Sequence, residues 1–62
     1  MKAREVIKMA EDAGWVFVRQ KGSHKIFEKV GERRPLVIPD HGSKDIPKPT
    51  LLDILKQAGL RK

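Results

Sequence analysis

The sequence predicts an α+β fold in the order α-β-β-β-α, with a three-stranded antiparallel sheet and both helices on one of its faces. Apolar residues recur at helical spacing near both ends of the chain, and three short runs rich in β-branched and aromatic residues lie between them. The turns that join these runs are short, as an antiparallel meander requires. Each predicted helix has a single apolar stripe. Packing both stripes on one face would therefore leave the other face open.

The first helix is predicted over residues 2–13. Its apolar residues share helical spacing and are Ala3, Val6, Ile7, Ala10 and Ala13. We expect Gly14 to end this helix in a left-handed conformation, with Trp15 folding back onto the last turn. Trp15 has two interpretations: it fills the core beside the helix end, or it anchors an interface.

Strands are predicted over residues 15–21, 24–30 and 36–38. Regular alternation along the first strand places on one face Trp15, Phe17, Arg19 and Lys21, and on the other Val16, Val18 and Gln20. Along the second strand, one face receives His24, Ile26, Glu28 and Val30, and the other Lys25, Phe27 and Lys29. The sequence does not decide which face of the sheet bears His24, because a bulge at Gly22 would reverse the assignment.

Residues 39–48 are predicted to be irregular, because turn-forming residues dominate them. The last helix then has two possible starts. Either Pro49 lies in its first turn, or Thr50 is the N-cap and Asp53 completes a capping box.

The last helix is expected to bury one stripe, formed by Leu51, Ile54, Leu55 and Ala58. Gly59 is predicted to end it. Leu60 is predicted to return to Leu55 in a Schellman closure.

Net charge is the most informative feature of the composition. Fourteen Lys and Arg residues against eight Asp and Glu give a net charge of +6 and a pI near 10.1. A small domain this basic attracts polyanions, and nucleic acid is the commonest of these inside a cell. We therefore expect RNA affinity that falls steeply with ionic strength. One Trp and two Phe are too few for a base-stacking platform.

The length of 62 residues predicts a single domain, residues 1–62, with a small core. Without cysteine, the chain cannot use a disulfide or a zinc–thiolate site for stability. No apolar run approaches the roughly 20 residues of a membrane span, and the N-terminus lacks the apolar core of a secretory signal. We expect a cytoplasmic protein without a membrane partner.

The run Gly22-Ser23-His24 is the principal candidate site. It places one of two histidines directly after a Gly-Ser turn, between Lys21 and Lys25. Imidazole exchanges protons near neutral pH and ammonium groups hold phosphate, so this pattern suits phosphodiester chemistry. A histidine beside a turn can equally be a solvated polar residue. The flanking lysines can equally form a basic rim that supplies affinity alone.

The second histidine, His41, lies in the run Asp40-His41-Gly42. It is either the exposed residue of an Asx-type turn or a secondary catalytic group, and Lys44 is a further secondary candidate. The acidic residues around it lack the paired spacing of a zinc or two-metal site, so we expect no metal and no cofactor.

Short motifs along nearly the whole chain follow a specific order. They comprise Gly14-Trp15 after the first helix, the run Arg19-Gln20-Lys21-Gly22-Ser23-His24, Phe27, Val37-Ile38-Pro39, His41, Lys44 with Ile46, and Thr50-Leu51 to Ala58-Gly59-Leu60. In this order the sequence resembles the HicA toxins, small messenger-RNA interferases of toxin–antitoxin pairs. Two positions depart from the pattern: Pro49 stands where glycine is expected, and Lys25 where a second polar or aromatic residue is also common.

The resemblance implies a double-stranded-RNA-binding-domain-like fold and a ribonuclease that depends on His24. It also implies a HicB antitoxin that covers this histidine. We therefore hypothesise metal-independent cleavage of messenger RNA, in which His24 accepts the proton of a ribose 2′-hydroxyl. The expected RNA-binding residues are Arg19, Lys21, Gly22, Ser23 and Lys25. The alternative is a basic RNA-binding module without catalysis.

Overall fold

A computed structural model of the protein describes residues 1–60, and its elements follow the predicted order α-β-β-β-α. The helices are α1 (Ala3–Asp12) and α2 (Lys48–Gln57), and the strands are β1 (Val16–Lys21), β2 (His24–Glu28) and β3 (Leu36–Pro39). The strands form one antiparallel sheet in the order β1-β2-β3. Among residues 1–60, neither helix has the length and apolar character needed to span a membrane.

The predicted end of α1 is confirmed. The Gly14 N–H donates to Glu11 O, and the Trp15 N–H donates to Ala10 O, each at 3.0 Å. These two bonds form a Schellman motif, and Gly14 adopts the positive φ of +102° that the motif requires. The turn directs Trp15 back toward the helix, so β1 begins at Val16 and not at the predicted residue 15.

The first of the two predicted starts of α2 is confirmed. The helix begins at Lys48, with Pro49 in its first turn and Pro47 at the N-cap. Thr50 therefore lies inside the helix, and the alternative in which it is the N-cap is wrong. The fixed φ of proline suits a first helical turn, where its missing N–H is not needed.

The predicted end of α2 is also confirmed. The Leu60 N–H donates to Leu55 O at 2.9 Å, and the Gly59 N–H donates to Lys56 O at 3.2 Å. As at the end of α1, the glycine has positive φ and the pair of bonds forms a Schellman motif.

Both helices cover the same face of the sheet. On that face Phe27 pairs with Leu36, and both pack with apolar residues from α1 and α2. Trp15 is buried beside them, and its indole N–H donates to Ala58 O at 3.2 Å. Of its two interpretations, the core residue is therefore confirmed. This hydrogen bond links the end of α1 to the end of α2.

The second strand is shorter than predicted. It ends at Glu28, and Val30, predicted to be its last residue, is 99% exposed. The Glu32 N–H donates to Lys29 O at 3.0 Å, which closes a turn around Gly31 at a φ of +88°. This turn takes up the last two residues of the predicted strand.

A β-bulge in β1 changes which residues share a face. Phe17 pairs with Phe27 and Arg19 pairs with Ile26, the preceding residue of β2, so Val18 has no partner. Phe17 consequently lies on the helix side, with its ring centroid 5.7 Å from that of Phe27. The prediction that Phe17 shares a face with Arg19 and Lys21 is wrong, because it assumed unbroken alternation.

Alternation is unbroken in β2, and the predicted faces are confirmed from His24 to Glu28. His24 pairs with Lys21 and Ile26 pairs with Arg19, all on the side away from the helices. We call this side the open face and define it by Arg19, Lys21, His24, Ile26, Val37 and Pro39. The bulge that decides its composition is at Val18 and not at Gly22.

Candidate functional site

The β1–β2 hairpin places Lys21 beside His24 at one end of the open face. The two residues form the last cross-strand pair before the Gly22-Ser23 turn. Side chains of such a pair start about 4.5–5.5 Å apart, measured between Cβ atoms. Both side chains are exposed, so the imidazole and the ammonium group are accessible to the same ligand.

The turn itself has a defined conformation. Gly22 adopts a φ of +59°, which residues with a Cβ rarely adopt. The side-chain amide of Gln20 donates to Gly22 O at 2.8 Å. This bond joins a residue of β1 to the turn and holds the turn in place. The turn then sets the start of β2 at His24.

Arg19 is the second cation on the open face. It lies two residues before Lys21 in β1, so the two residues share a side of the sheet. The bulge at Val18 makes that side the one that bears His24. Its cross-strand partner Ile26 is only 9% exposed, and Val37 beyond it is 40% exposed. The open face is thus basic near the β1–β2 turn and apolar toward its centre.

Lys25 follows His24 but lies on the helix side of the sheet. Its ammonium group contacts the Asp40 carboxylate, with Nζ and Oδ2 2.7 Å apart. The hydrogen bond from Lys25, together with one from the Gly42 N–H, lowers the pKa of Asp40 below its usual 3.8. Of the predicted phosphate-binding residues, Lys25 therefore has a carboxylate partner and does not share the face of His24.

Asp40 also connects the loop after β3 to the β1–β2 turn. Its N–H donates to Ser23 O at 2.7 Å, and its Oδ1 accepts the Gly42 N–H at 3.0 Å. The second bond is that of an Asx turn. The sequence offered this turn as one of two interpretations of His41. It did not indicate the role of Asp40, because only the fold brings Ser23 and Lys25 to this residue.

The loop beyond Asp40 contains the two secondary candidates. His41 is exposed and directly follows the residue that is bonded to Ser23, while Lys44 donates its N–H to His41 O at 3.5 Å. The end of this loop is held at the start of α1, where Ile46 donates its N–H to Met1 O at 2.9 Å. Among residues 1–60, no three His, Asp or Glu side chains are close enough to hold a metal ion.

Residues 3–60 match the model of a protein family described as the HicA toxin of bacterial toxin–antitoxin systems. The match begins at the first residue of α1 and ends at Leu60, so it includes all five elements of the fold. No curated protein matches the chain at a significant level.

Proposed function

Because this chain belongs to the HicA toxin family, we propose that it cleaves messenger RNA in the cytoplasm, with His24 as the essential residue. Family membership makes it the toxin of a toxin–antitoxin pair and implies a cognate antitoxin. The proposal adds the substrate, the reaction and the residues. Cleavage of messenger RNA would inhibit translation, which accounts for toxicity.

One observation supports the proposal more than any other. The imidazole of His24 and the cations of Lys21 and Arg19 lie on the same exposed face of the sheet. Phosphodiester cleavage needs a group that transfers protons near neutral pH and positive charge beside the phosphate. The bulge at Val18 supplies this combination, because in a strand with unbroken alternation Arg19 would share a face with Phe17.

The proposed reaction is an internal transesterification. His24 accepts the proton of the ribose 2′-hydroxyl, whose oxygen then forms a bond to the adjacent phosphorus. The bond between that phosphorus and the 5′-oxygen of the next nucleotide breaks. The products are a 2′,3′-cyclic phosphate and a 5′-hydroxyl, and no metal ion takes part.

Lys21 and Arg19 are the proposed ligands of the reacting phosphate and its neighbour. Their charge would stabilise the negative charge that accumulates on the phosphoryl oxygens. Ser23 and the backbone of Gly22 lie in the adjoining turn and can donate further hydrogen bonds. Lys25 is a weaker candidate, because its ammonium group already contacts Asp40 on the other side of the sheet.

The proposed antitoxin is of the HicB type and covers His24. Two features of the chain support this arrangement. The open face has no helix packed against it within residues 1–60, and its apolar centre includes Val37, which is 40% exposed. The net charge of +6 favours an acidic partner. Such a partner would exclude RNA from Arg19, Lys21 and His24 together.

RNA integrity tests the proposal directly. Purified protein is incubated with RNA in EDTA, and the native chain is compared with the variant His24→Ala. We expect the native chain to fragment the RNA and the variant to be at least about 100-fold slower, as for loss of a general base. Circular dichroism should give the same spectrum for both, since His24 is exposed.

Three results would contradict the proposal in different ways. Equal cleavage by both proteins would assign the activity to another residue or to a contaminant. Loss of native activity in EDTA would imply a metal-dependent reaction. Binding of RNA without cleavage by either protein would favour the alternative, a basic RNA-binding module.

A further inference from the structure

We infer that His41 is a second catalytic residue, the general acid that protonates the leaving 5′-oxygen, and that Asp40 is the positioning residue that holds it near His24. This inference rests on the proposed ribonuclease function. It assigns to the second histidine a role that neither the family match nor the Gly-Ser-His motif provides.

The proposed reaction leaves one proton transfer without a donor. An alkoxide is a poor leaving group, so breaking the bond between phosphorus and the 5′-oxygen is faster when an acid supplies a proton. The acid must approach from the side opposite the 2′-oxygen, because the attacking and leaving oxygens are roughly in line. A single imidazole beside the 2′-hydroxyl cannot hold both positions at once. A second group that titrates near neutral pH meets the need.

The sheet brings the two histidines to the same end of the molecule. Pro39 pairs with His24, and His41 is two residues further along the chain, beyond the end of β3. With a strand spacing near 4.8 Å and a rise near 3.3 Å per residue, the two Cα atoms are about 8 Å apart if the chain stays extended. Side chains starting at this separation can approach one phosphate from two sides.

The bonds of Asp40 favour the same side of the sheet for both imidazoles. The Asp40 N–H bonds to Ser23 O, so Asp40 continues the pairing of β3 with β2. Its carboxylate points to Lys25, on the helix side. Neighbouring side chains of an extended chain point in opposite directions, and Pro39 accordingly lies on the open face. His41 is the other sequence neighbour of Asp40. By the same alternation its side chain is directed toward the open face.

Asp40 is held by three contacts, which makes it suited to position its neighbour. Its N–H is bonded to Ser23, its Oδ2 to Lys25 and its Oδ1 to the Gly42 N–H, at 2.7, 2.7 and 3.0 Å. The loop thus has fixed points directly before and after His41. The imidazole itself remains exposed.

The charged groups around the two histidines differ. Around His24 they are Lys21 and Arg19 on β1, and β3 contributes the uncharged Pro39. Around His41 they are Asp40, with its partner Lys25, and Lys44 of the same loop. His24 thus has cations beside it that can bind the reacting phosphate, whereas His41 follows a carboxylate that is fixed in place.

The proton transfers balance in this arrangement. His24 gains the proton of the 2′-hydroxyl as the new bond to phosphorus forms, and His41 loses a proton to the 5′-oxygen as the old bond breaks. One proton then moves from His24 to solvent and one from solvent to His41, which restores the starting state. Two such groups predict a bell-shaped dependence of the rate on pH.

A sulfur substitution in the substrate separates the two roles. The bond that the native protein cleaves in a short RNA oligonucleotide is mapped first, and its bridging 5′-oxygen is then replaced by sulfur. A thiolate leaves without protonation, so the modified RNA does not need a general acid. We expect His41→Ala to be about 100-fold or more slower than the native chain on ordinary RNA and close to it on the sulfur-containing RNA.

His24→Ala is the matched comparison and should stay slow on both substrates, because the 2′-hydroxyl still needs a base. Asp40→Ala should behave as a milder form of His41→Ala, with partial loss on ordinary RNA and recovery on the sulfur-containing RNA. A merely structural role of Asp40 would slow both substrates alike. Ser43→Ala, an exposed neighbour in the same loop, should cleave both like the native chain.

Each outcome bears on a different statement. If His41→Ala and His41→Gln cleave ordinary RNA at the native rate, or stay slow on the sulfur-containing RNA, His41 is not the general acid and the inference is wrong. In both cases the proposed role of His24 stands. If the native chain cleaves neither RNA, the proposed function fails first. Loss of the alkaline limb of the pH–rate profile in His41→Ala would support the inference independently.

Discussion

The two faces of the sheet differ more than any other two regions of this molecule. On the covered face, Phe27, Leu36 and Ile38 are each at most 1% exposed and pack against both helices. On the open face, Arg19, Lys21 and His24 are exposed. The same three strands supply both sets. Burial, and with it most of the stability, belongs to one face, whereas the proposed chemistry belongs to the other.

This division follows from the size of the chain. The chain has 62 residues, and its described part, residues 1–60, has only two helices, which bury one face of the sheet. The core that results is small and leaves little stability to spare. Neighbours in sequence therefore have opposite roles. Lys25 contacts Asp40 on the helix side, while His24, one residue earlier, lies on the open face. Substitutions on the two faces should consequently change different properties.

The largest expected effect is loss of stability when the covered face is truncated. Leu36→Ala removes a fully buried side chain between the sheet and the helices, so it should lower the free energy of unfolding by about 2–5 kcal/mol. Arg19→Ala and Lys21→Ala should change it by less than about 0.5 kcal/mol, because both side chains are exposed. Urea unfolding followed by circular dichroism measures all three.

Equal destabilisation by Leu36→Ala and Lys21→Ala would contradict this separation of the faces. A useful second control is Val37→Ala in the same strand. Val37 alternates with Leu36 and is 40% exposed on the open face. Its truncation should cost much less than that of Leu36, although the two residues are adjacent in β3.

The next effect depends on the bulge that assigns Arg19 to the open face. Deleting Val18 should close the bulge and keep Arg19 opposite Ile26. Deleting Gln20 should also close it, but Val18 would then take the place opposite Ile26. Arg19 would move to the helix side, opposite Lys25, where two cations repel each other. In both deletions Lys21 remains opposite His24.

RNA binding at several salt concentrations distinguishes the two deletions. The deletion of Gln20 should reduce the slope of log affinity against log salt by about 0.7, the value for one phosphate contact to a single strand. The deletion of Val18 should leave the slope unchanged. Gln20→Ala controls for the lost hydrogen bond to Gly22 O. Equal slopes for all three variants would exclude Arg19 as a phosphate ligand on this face.

Local sequence signals predicted most of the fold. Gly14 and Gly59 marked both helix ends, and the apolar spacing of Val6 with Ala10 and of Ile54 with Ala58 marked the faces that the core buries. These signals depend on residues within one or two helical turns of each other. They are therefore readable without knowledge of the tertiary structure.

The errors arose where pairing between strands decides the outcome. The run from Phe17 to Lys21 has no glycine or proline to announce a bulge. Phe17 lies on the helix side, where its ring packs edge-on against Phe27, and this can be known only once β2 is in place. The contacts of Asp40 with Ser23 and Lys25 likewise join segments distant in sequence. Both features determine which residues accompany His24.

The smallest expected effect concerns the ion pair that joins the covered face to the loop of His41. The Lys25 ammonium and the Gly42 N–H lower the pKa of Asp40 in the folded chain below its usual 3.8. The folded chain therefore binds this proton less readily than the unfolded chain does. The resulting stability is present above about pH 4 and is lost as the pH falls through the lowered pKa.

Asp40→Asn isolates this charge, because the amide oxygen can still accept the Gly42 N–H. We expect the native chain to be slightly more stable than the variant at pH 7, and the difference to vanish toward pH 2. Thermal unfolding of both proteins across this range measures it. A difference independent of pH would mean that shape and not charge holds the loop. The pair is partly exposed, so its contribution should also shrink in high salt. Truncation of Leu36 on the covered face should show no such dependence, since no charge is removed there.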